Sequence, residues 1–597
     1  MAHDFDLLIR GGKIVDGSGA AAFLGDVAVV GEKIALVGEK ISGAAAREID
    51  ATGMIVTPGF VDIHTHYDGQ LIWSDRLSPS SDHGVTTVMT GNCGIGFAPC
   101  RPDDHIKLIQ LMEGVEDIPE PVASAGLTWE WETFPQFLDA IDKRPRDIDV
   151  IALLPHSPLR VYVMGERAIR REQATDEDIA WMQNLTREAL DAGAIGLGTS
   201  RLHTHRSSTG DQIPTFGAAE EELLAIGEVM REMNRGILQL VATMKREVFD
   251  DEMDFMERFS KQSGRTVTYT QAQVAADPGY IPMVRGRLAE MNARPGVDVK
   301  AQLYPRPIGL VIGLRATVNP FCMSPLWVEL KNLPLDRKVA EMRKPEVRTR
   351  LINDKPEDPK NPVYLMSRDF KTIFAFDPKV PDYEPPQARN IAARAAAEGL
   401  DPAELIYDIL LKDGGHALLF AAMGNYADYN LDFVSEMLRD DHVVVGLGDG
   451  GAHYGMVCDA SYPTFALTHW VRDRDHGRFS IEEMVHILAR KPAVTVGLAD
   501  RGLLAPGHVA SVNVIDFERL ELFTPEIAHD LPGGGRRLHQ RARGYLATIV
   551  NGVIIAENDE PTGASPGCLI RGARKAGAAD GHAGPIFTET PRWPWTT

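Results

Sequence analysis

Apolar residues recur along this 597-residue chain in two rhythms. Up to residue 58 the segments FDLLIRGGKIVDG, GDVAVVGEKIALVG and EIDATGMIVTPG carry short apolar runs broken by glycine, with no helical period, and predict strands. β-rich runs return at VASVNVIDF (509–517) and LATIVNGVIIAEN (546–558), separated by a polar stretch holding PGGGRR (532–537). Strand groups this short expose unpaired edges unless they pair with one another. The two ends, 1–58 and 500–560, are therefore expected to build one discontinuous small β domain.

The middle, 59–499, has a different rhythm. Thr175 and Asp178 form a capping-box pattern, Ile179, Met182, Leu185 and Ala189 share a helical face, and Gly193 stops the helix before the strand AIGLGTS. The unit repeats with helices near 218–234, 250–263, 282–293 and 431–440, each followed by an apolar strand: ILQLVAT, TVTYTQ, VDVKAQLY and HVVVGLGD. Successive helix-then-strand units predict a parallel sheet covered by helices. A closed (β/α)8 TIM-like barrel is the economical α/β form, with a doubly wound open sheet as the alternative. Two insertions interrupt the rhythm, about 100–145 with the Trp-rich GLTWEWETFPQFL and about 320–400 rich in Lys, Arg, Pro and Asp. The Gly-, Pro- and Ala-rich end, 561–597, is expected to form an extended arm or to be partly disordered.

Composition narrows the function classes. The chain carries 62 Lys+Arg against 84 Asp+Glu, a net charge of −22. That field disfavours nucleic acid and anionic membrane surfaces as partners. Five scattered cysteines argue against a disulfide framework, and the start lacks a basic region followed by an apolar one. A soluble, cytoplasmic protein is expected. Large insertions and the C-terminal arm favour a homo-oligomer.

Among 18 histidines, His64 and His66 in VTPGFVDIHTHYDG stand out. Residues two apart on a strand point to one side, so both imidazoles would face the barrel mouth as a pair of metal ligands. Asp449 in GLGDGGAHYG ends a late apolar strand, and the last strand of a closed barrel neighbours the first. Taken alone, Asp449 reads more readily as part of a common Asp-Gly turn. Cys93, between Asn92 and Gly94 after a short β run, is either a small core residue or a thiolate ligand.

With FDLLIRGGKIVDGSG, HGVTTVMTGNCGIGFAP and LPGGGRRLHQRARGYLATIVNG, these motifs make the chain resemble the amidohydrolase superfamily, and within it the N-acyl-D-amino-acid deacylase (D-aminoacylase) family. The resemblance reaches to about residue 572. It implies a metal-dependent amide hydrolase with a (β/α)8 barrel and a small β-sandwich. His64, His66 and Asp449 would form one metal site, and Cys93 the thiolate ligand of another. Two further histidines expected of the family are absent: the matching stretches TYTQAQ and AQLYPRP place Gln271 and Leu303 there. One divalent ion, zinc first, is therefore favoured over two. His203, His205, His156 and His453 are the histidines that could compensate, and Lys245 is read as a solvated lysine rather than a carboxylated ligand.

A metal at His64, His66 and Asp449 would lower the pKa of water from 15.7 towards about 7. Asp449 is assigned the proton transfer to the leaving nitrogen. Arg306, Arg160 or Arg201 would bind a substrate carboxylate, with His205, Gln271 and His453 as further substrate contacts. The expected reaction is hydrolysis of a linear N-acyl amino acid, the D enantiomer being one candidate. Alternatives are hydrolysis of cyclic, fatty acyl or aryl amides, or a non-catalytic assembly protein on the same fold.

Overall fold

The computed structural model describes residues 3–574 except 244, 357 and 378. The predicted outer part of the C-terminal arm, 575–597, lies outside the described residues. Thr175 and Asp178 close the predicted capping box, each side chain bonding the other's backbone N–H, and the helix Asp176–Ala192 ends at Gly193 with φ 111°. The four other predicted helices form over Glu220–Met233, Phe249–Ser263, Tyr280–Asn292 and Asp432–Leu438.

Parallel strands follow one another in space in chain order. Phe60–Asp62, Val85–Thr90 and Asp149–Ala152 form one ladder, and Leu154–Pro155, Leu197–Ser200, Leu238–Val241, Val267–Gln271, Val299–Leu303 and Val443–Val445 form the next. Asp149–Ala152 and Leu154–Pro155 are two parts of one run, so the two ladders are continuous through it. At the other edge the chain after Val445 reaches the chain after Asp62: Asp449 N–H donates to the His64 carbonyl at 3.1 Å and His66 N–H to the Gly450 carbonyl at 2.8 Å. Strands buried on both faces read as unbroken apolar runs, as VTTVMT and VVV do.

Strands from the two chain ends share one nine-stranded sheet. The junction is Val512–Ile515, antiparallel to Ile55–Pro58 on one side and to Tyr545–Val550 on the other. Its core holds Leu7, Ile9, Val27, Val512, Val514 and Ile549. The described part of the arm is extended and packed, with Leu569 and Ile570 buried and bridges to Val150 and Leu498.

The second insertion differs from the loop its composition suggests. Short helices, among them Pro325–Leu330, Leu335–Met342 and Pro402–Leu410, surround a cluster of their own that includes Phe321, Trp327, Met342 and Tyr407. Proline at the first helical turn of two of them explains why a Pro-rich stretch folds as helix here. The first insertion also folds, as His105–Glu116, Glu120–Gly126 and Phe134–Asp142. Among the described residues no helix is long and apolar enough to cross a membrane.

Candidate metal centre

Four of the predicted residues meet. The ligand atoms of His64, His66 and Cys93 all lie within 4.8 Å of one another, and all three residues are buried. His64 Nε2 is 3.4 Å from Cys93 Sγ and 3.7 Å from Asp449 Oδ1, and His66 Nε2 is 3.8 Å from the same oxygen. Each position follows from local backbone. His64 and His66 continue beyond Phe60–Asp62, where His64 N–H donates to Asp62 Oδ1 at 3.1 Å. Cys93 sits at φ 55°, and a Cβ on Gly94 would fall 2.7 Å from Thr199 Cα, so glycine lets that turn lie against the neighbouring strand. Asp449 also takes positive φ, 46°, and a Cβ on the preceding Gly448 would lie 2.0 Å from Asp62 Oδ2.

The tautomer of His64 is set from below. Nδ1 lies 2.8 Å from Gln302 Oε1, and Gln302 is held by Thr268 Oγ1 at 3.0 Å, which leaves Nε2 as the lone-pair nitrogen facing the cluster. His66 has no hydrogen-bond partner at either ring nitrogen although it is fully buried. Burial drives the pKa of His64 down to about 4, and burial with the neighbouring imidazoles drives His66 well below its ordinary value. Burial likewise pushes the Cys93 thiol and the Asp449 carboxyl well up, helped by the Glu116 charge. Neutral imidazoles beside carboxylates that cannot easily hold their charge in a dry site are the electrostatics a cation would reverse.

Two further residues complete the cluster. His453, at φ 48°, places Nε2 3.2 Å from Glu116 Oε2, and Glu116 Oε2 is 3.4 Å from His66 Nε2. Burial lowers the His453 pKa, but the charges of Glu116, Asp449 and Asp117 outweigh it and carry it up to about 9. His205 bonds Ser200 Oγ through Nδ1 at 2.9 Å and is brought down to about 3 by burial and by the charges of His453 and His64. Glu116 carries no motif; in HIKLIQLMEGVED it reads as the polar end of an amphipathic helix.

The arginine assignments are corrected. Arg160 is buried on the helix His156–Met164, paired with Glu222 and donating to the Glu172 carbonyl. His156 closes that group through Glu222 at 2.7 Å and Thr199 at 2.9 Å. Arg306 donates to Ser461, to the Cys458 carbonyl and to Asp459, and its guanidinium lies 4.0 Å from the Tyr383 ring centroid. These charges are neutralised internally, which leaves neither poised for a substrate. Arg201 lies near Glu252 and Glu220 in a separate polar cavity of about 490 Å³. Gln271 does not reach the histidines either: its amide bonds Tyr280 Oη at 2.6 Å and the Ala272 carbonyl, while Gln302, next to the expected Leu303, is the residue that meets His64.

The fold has known counterparts. A solved structure of D-aminoacylase shares the fold with a TM-score of 0.64 at 24% identity, over 96% of this chain and all of that one. The D-aminoacylase of Alcaligenes xylosoxydans xylosoxydans is 30% identical over 398 residues, 63% of this chain and 74% of that protein. The N-acyl-D-aspartate deacylase of the same organism is 34% identical over 228 residues, 38% of this chain and 41% of that protein. The class so defined is a hydrolase of carbon–nitrogen amide bonds. The chain belongs to the amidohydrolase family, whose description matches residues 47–556.

Proposed function

We propose that this protein is a metal-dependent hydrolase of linear N-acyl amino acids, with the D enantiomer as substrate. The observation that carries the reading is the buried His64–His66–Cys93–Asp449 cluster with its partnerless His66 imidazole. In this reading residues 59–499 form a closed (β/α)8 barrel and residues 1–58 and 500–560 a small β-sandwich, the cluster lying where the first and last strands meet. The relatives named as acting on N-acyl-D-amino acids support the substrate class.

The donor set suits a divalent ion. Ligands held at about 2.0–2.1 Å in a tetrahedral array stand about 3.3–3.4 Å apart. The spacings of 3.4–3.8 Å around His64, His66, Cys93 and Asp449 lie close to that. His64, His66 and Asp449 would hold one ion, zinc first, with Cys93 beside it; bound there, it would acidify a water and polarise the scissile carbonyl.

The chain's own groups do the rest. Gln302 keeps the His64 proton on Nδ1. Asp449 has the side chain of this set that opens most to solvent, 22% exposed against 1% for each histidine. Its Oδ1 can take the proton of the attacking water and return it to the amide nitrogen, without which the amine leaves as a poor, anionic group. His453, whose charge acts on Asp449 and which is protonated below about pH 9, and His205, which lies within reach of the charges of His453 and His64, are the polar groups available to orient the substrate's carboxylate.

Hydrolysis of matched N-acyl-D, N-acyl-L and cyclic amides by the zinc-loaded protein tests this. N-acyl-D-amino acids are expected to be cleaved fastest, and His64→Ala to be inactive while folded. Preference for the L or cyclic series would overturn the substrate assignment, and full activity in a folded, metal-stripped protein the metal dependence.

A further inference from the structure

We propose that Glu116 is a further protein ligand of the divalent ion bound by His64, His66 and Asp449. The inference rests on the metal-dependent reading above and adds a residue to it that no motif marks. Glu116 ends the helix His105–Glu116, in the folded insertion after the strand Val85–Thr90. Its side chain is 1% exposed. A buried carboxylate this far from solvent is stable only when it is paired or coordinates a cation.

Its Oε2 is shared between two imidazoles, the ion-pair partner His453 at 3.2 Å and His66 at 3.4 Å, and His66 has no hydrogen bond at either nitrogen. Glu116 Oε2 and the unbonded His66 Nε2 face each other at 3.4 Å, close to the separation of about 3.3–3.4 Å expected of two ligands on one ion. Glu116 is also one of the negative charges acting on both the Cys93 thiol and the Asp449 carboxyl.

The backbone holds the carboxylate in that position. Asp117 terminates the helix in the left-handed region at φ 50°, and its Oδ2 accepts the Gly455 N–H at 3.0 Å. The Glu116 carbonyl accepts the His453 N–H. The helix end is thus tied to the GLGDGGAHYG turn that carries Asp449. A residue that merely neutralised His453 would need none of the alignment with His66, whereas a ligand needs both the dry site and the fixed helix end.

The test uses the full-length protein stripped of metal and titrated with zinc against a chromophoric chelator, alongside its cobalt(II) absorption spectrum. Wild type is expected to bind one ion per chain. Glu116→Gln should lose more than about tenfold in affinity and change the cobalt d–d bands. Glu116→Asp, which retains the charge but withdraws the oxygen by one methylene, should fall between, and it decides the matter if Glu116→Gln does not fold. His453→Gln should weaken binding less than Glu116→Gln does. Unchanged affinity and d–d bands in both Glu116 variants would overturn the proposal, as would an equal loss in His453→Gln, which would make Glu116 only the partner of that histidine. A folded wild type that takes up no ion would instead overturn the metal-dependent reading itself. The two failures are therefore told apart by the wild-type titration.

Discussion

Two buried clusters of imidazole and carboxylate sit beside neighbouring parallel strands, and they differ in how their polar atoms are used. In the His156–Arg160–Glu222 group, both imidazole nitrogens and both carboxylate oxygens have partners inside the protein. In the His64–His66–Cys93–Asp449 group, His66 has no hydrogen bond at either nitrogen, with Glu116 Oε2 3.4 Å away and itself paired with His453 at 3.2 Å. The first, in which only Arg160 Nε is left without a hydrogen bond, is a network of the kind that holds a fold together. The second carries the cost of buried, unmade bonds, which persists only where something else completes them. Both place imidazole beside carboxylate, but the first also holds the Arg160 cation. What separates them is the imidazole: that of His156 is bonded within the protein at both nitrogens and that of His66 at neither.

Several substitutions would break or sharpen that contrast. The largest effect is expected at Asp449: Asp449→Asn should lower kcat by about 10²–10⁴-fold while the melting temperature changes little, because a neutral amide cannot shuttle the proton. A comparable loss of stability with no gain in activity would move Asp449 into the structural class.

The mirror experiment is Glu222→Ala, which should cost about 3–5 kcal/mol by denaturant titration, since it leaves Arg160 buried without its counter-charge, and should spare metal affinity. The pH dependence carries the same signature. Burial alone would raise the Glu222 pKa, but His156 and Arg160 outweigh it and bring it down to about 2 from 4.5. A depressed folded pKa means that the stabilisation is complete above pH 4.5 and fades as pH falls towards 2, on the order of 3 kcal/mol in all. The difference in stability between wild type and Glu222→Gln should therefore shrink across that window. A difference independent of pH there would show that Glu222 is not held as a carboxylate.

The smallest effect lies between the two classes. Gln302 makes a satisfied bond to an unsatisfied site, and Gln302→Leu should weaken metal binding by about 10–100-fold while leaving hydrolysis measurable at saturating zinc. Unchanged affinity would mean that the His64 tautomer is set by something other than Gln302.

Legibility in the sequence follows the range of the interactions. The capping box at Thr175 and the five helix–strand units are local, and they appear where the pattern places them within two or three residues. His64, His66, Cys93 and Asp449 were visible because each lies at the end of an apolar run, the histidines two apart on one predicted strand and Cys93 and Asp449 beside glycines that mark a special backbone. The arginines were misplaced for the opposite reason. Nothing near Arg160 or Arg306 in sequence announces Glu222 or Asp459, 62 and 153 residues away, which neutralise them. Counting back from a family motif put Gln271 and Leu303 where histidines were expected, yet the side chain aimed at His64 belongs to Gln302, because a one-residue difference on a strand reverses the face.

The sequence by itself determined the family, the parallel α/β rhythm, the joining of the two β-rich ends and four members of the cluster. These rest on periodicity and on backbone-permissive glycines, which act within a few residues. Only the tertiary structure decided that the second insertion has a core of its own, that the conspicuous arginines are neutralised internally, and that Glu116 and His453 stand with His66. Those outcomes depend on which side chains share a dry volume, and that is set by packing between segments hundreds of residues apart, where the energy of a charge depends on its neighbours rather than on its place in the chain.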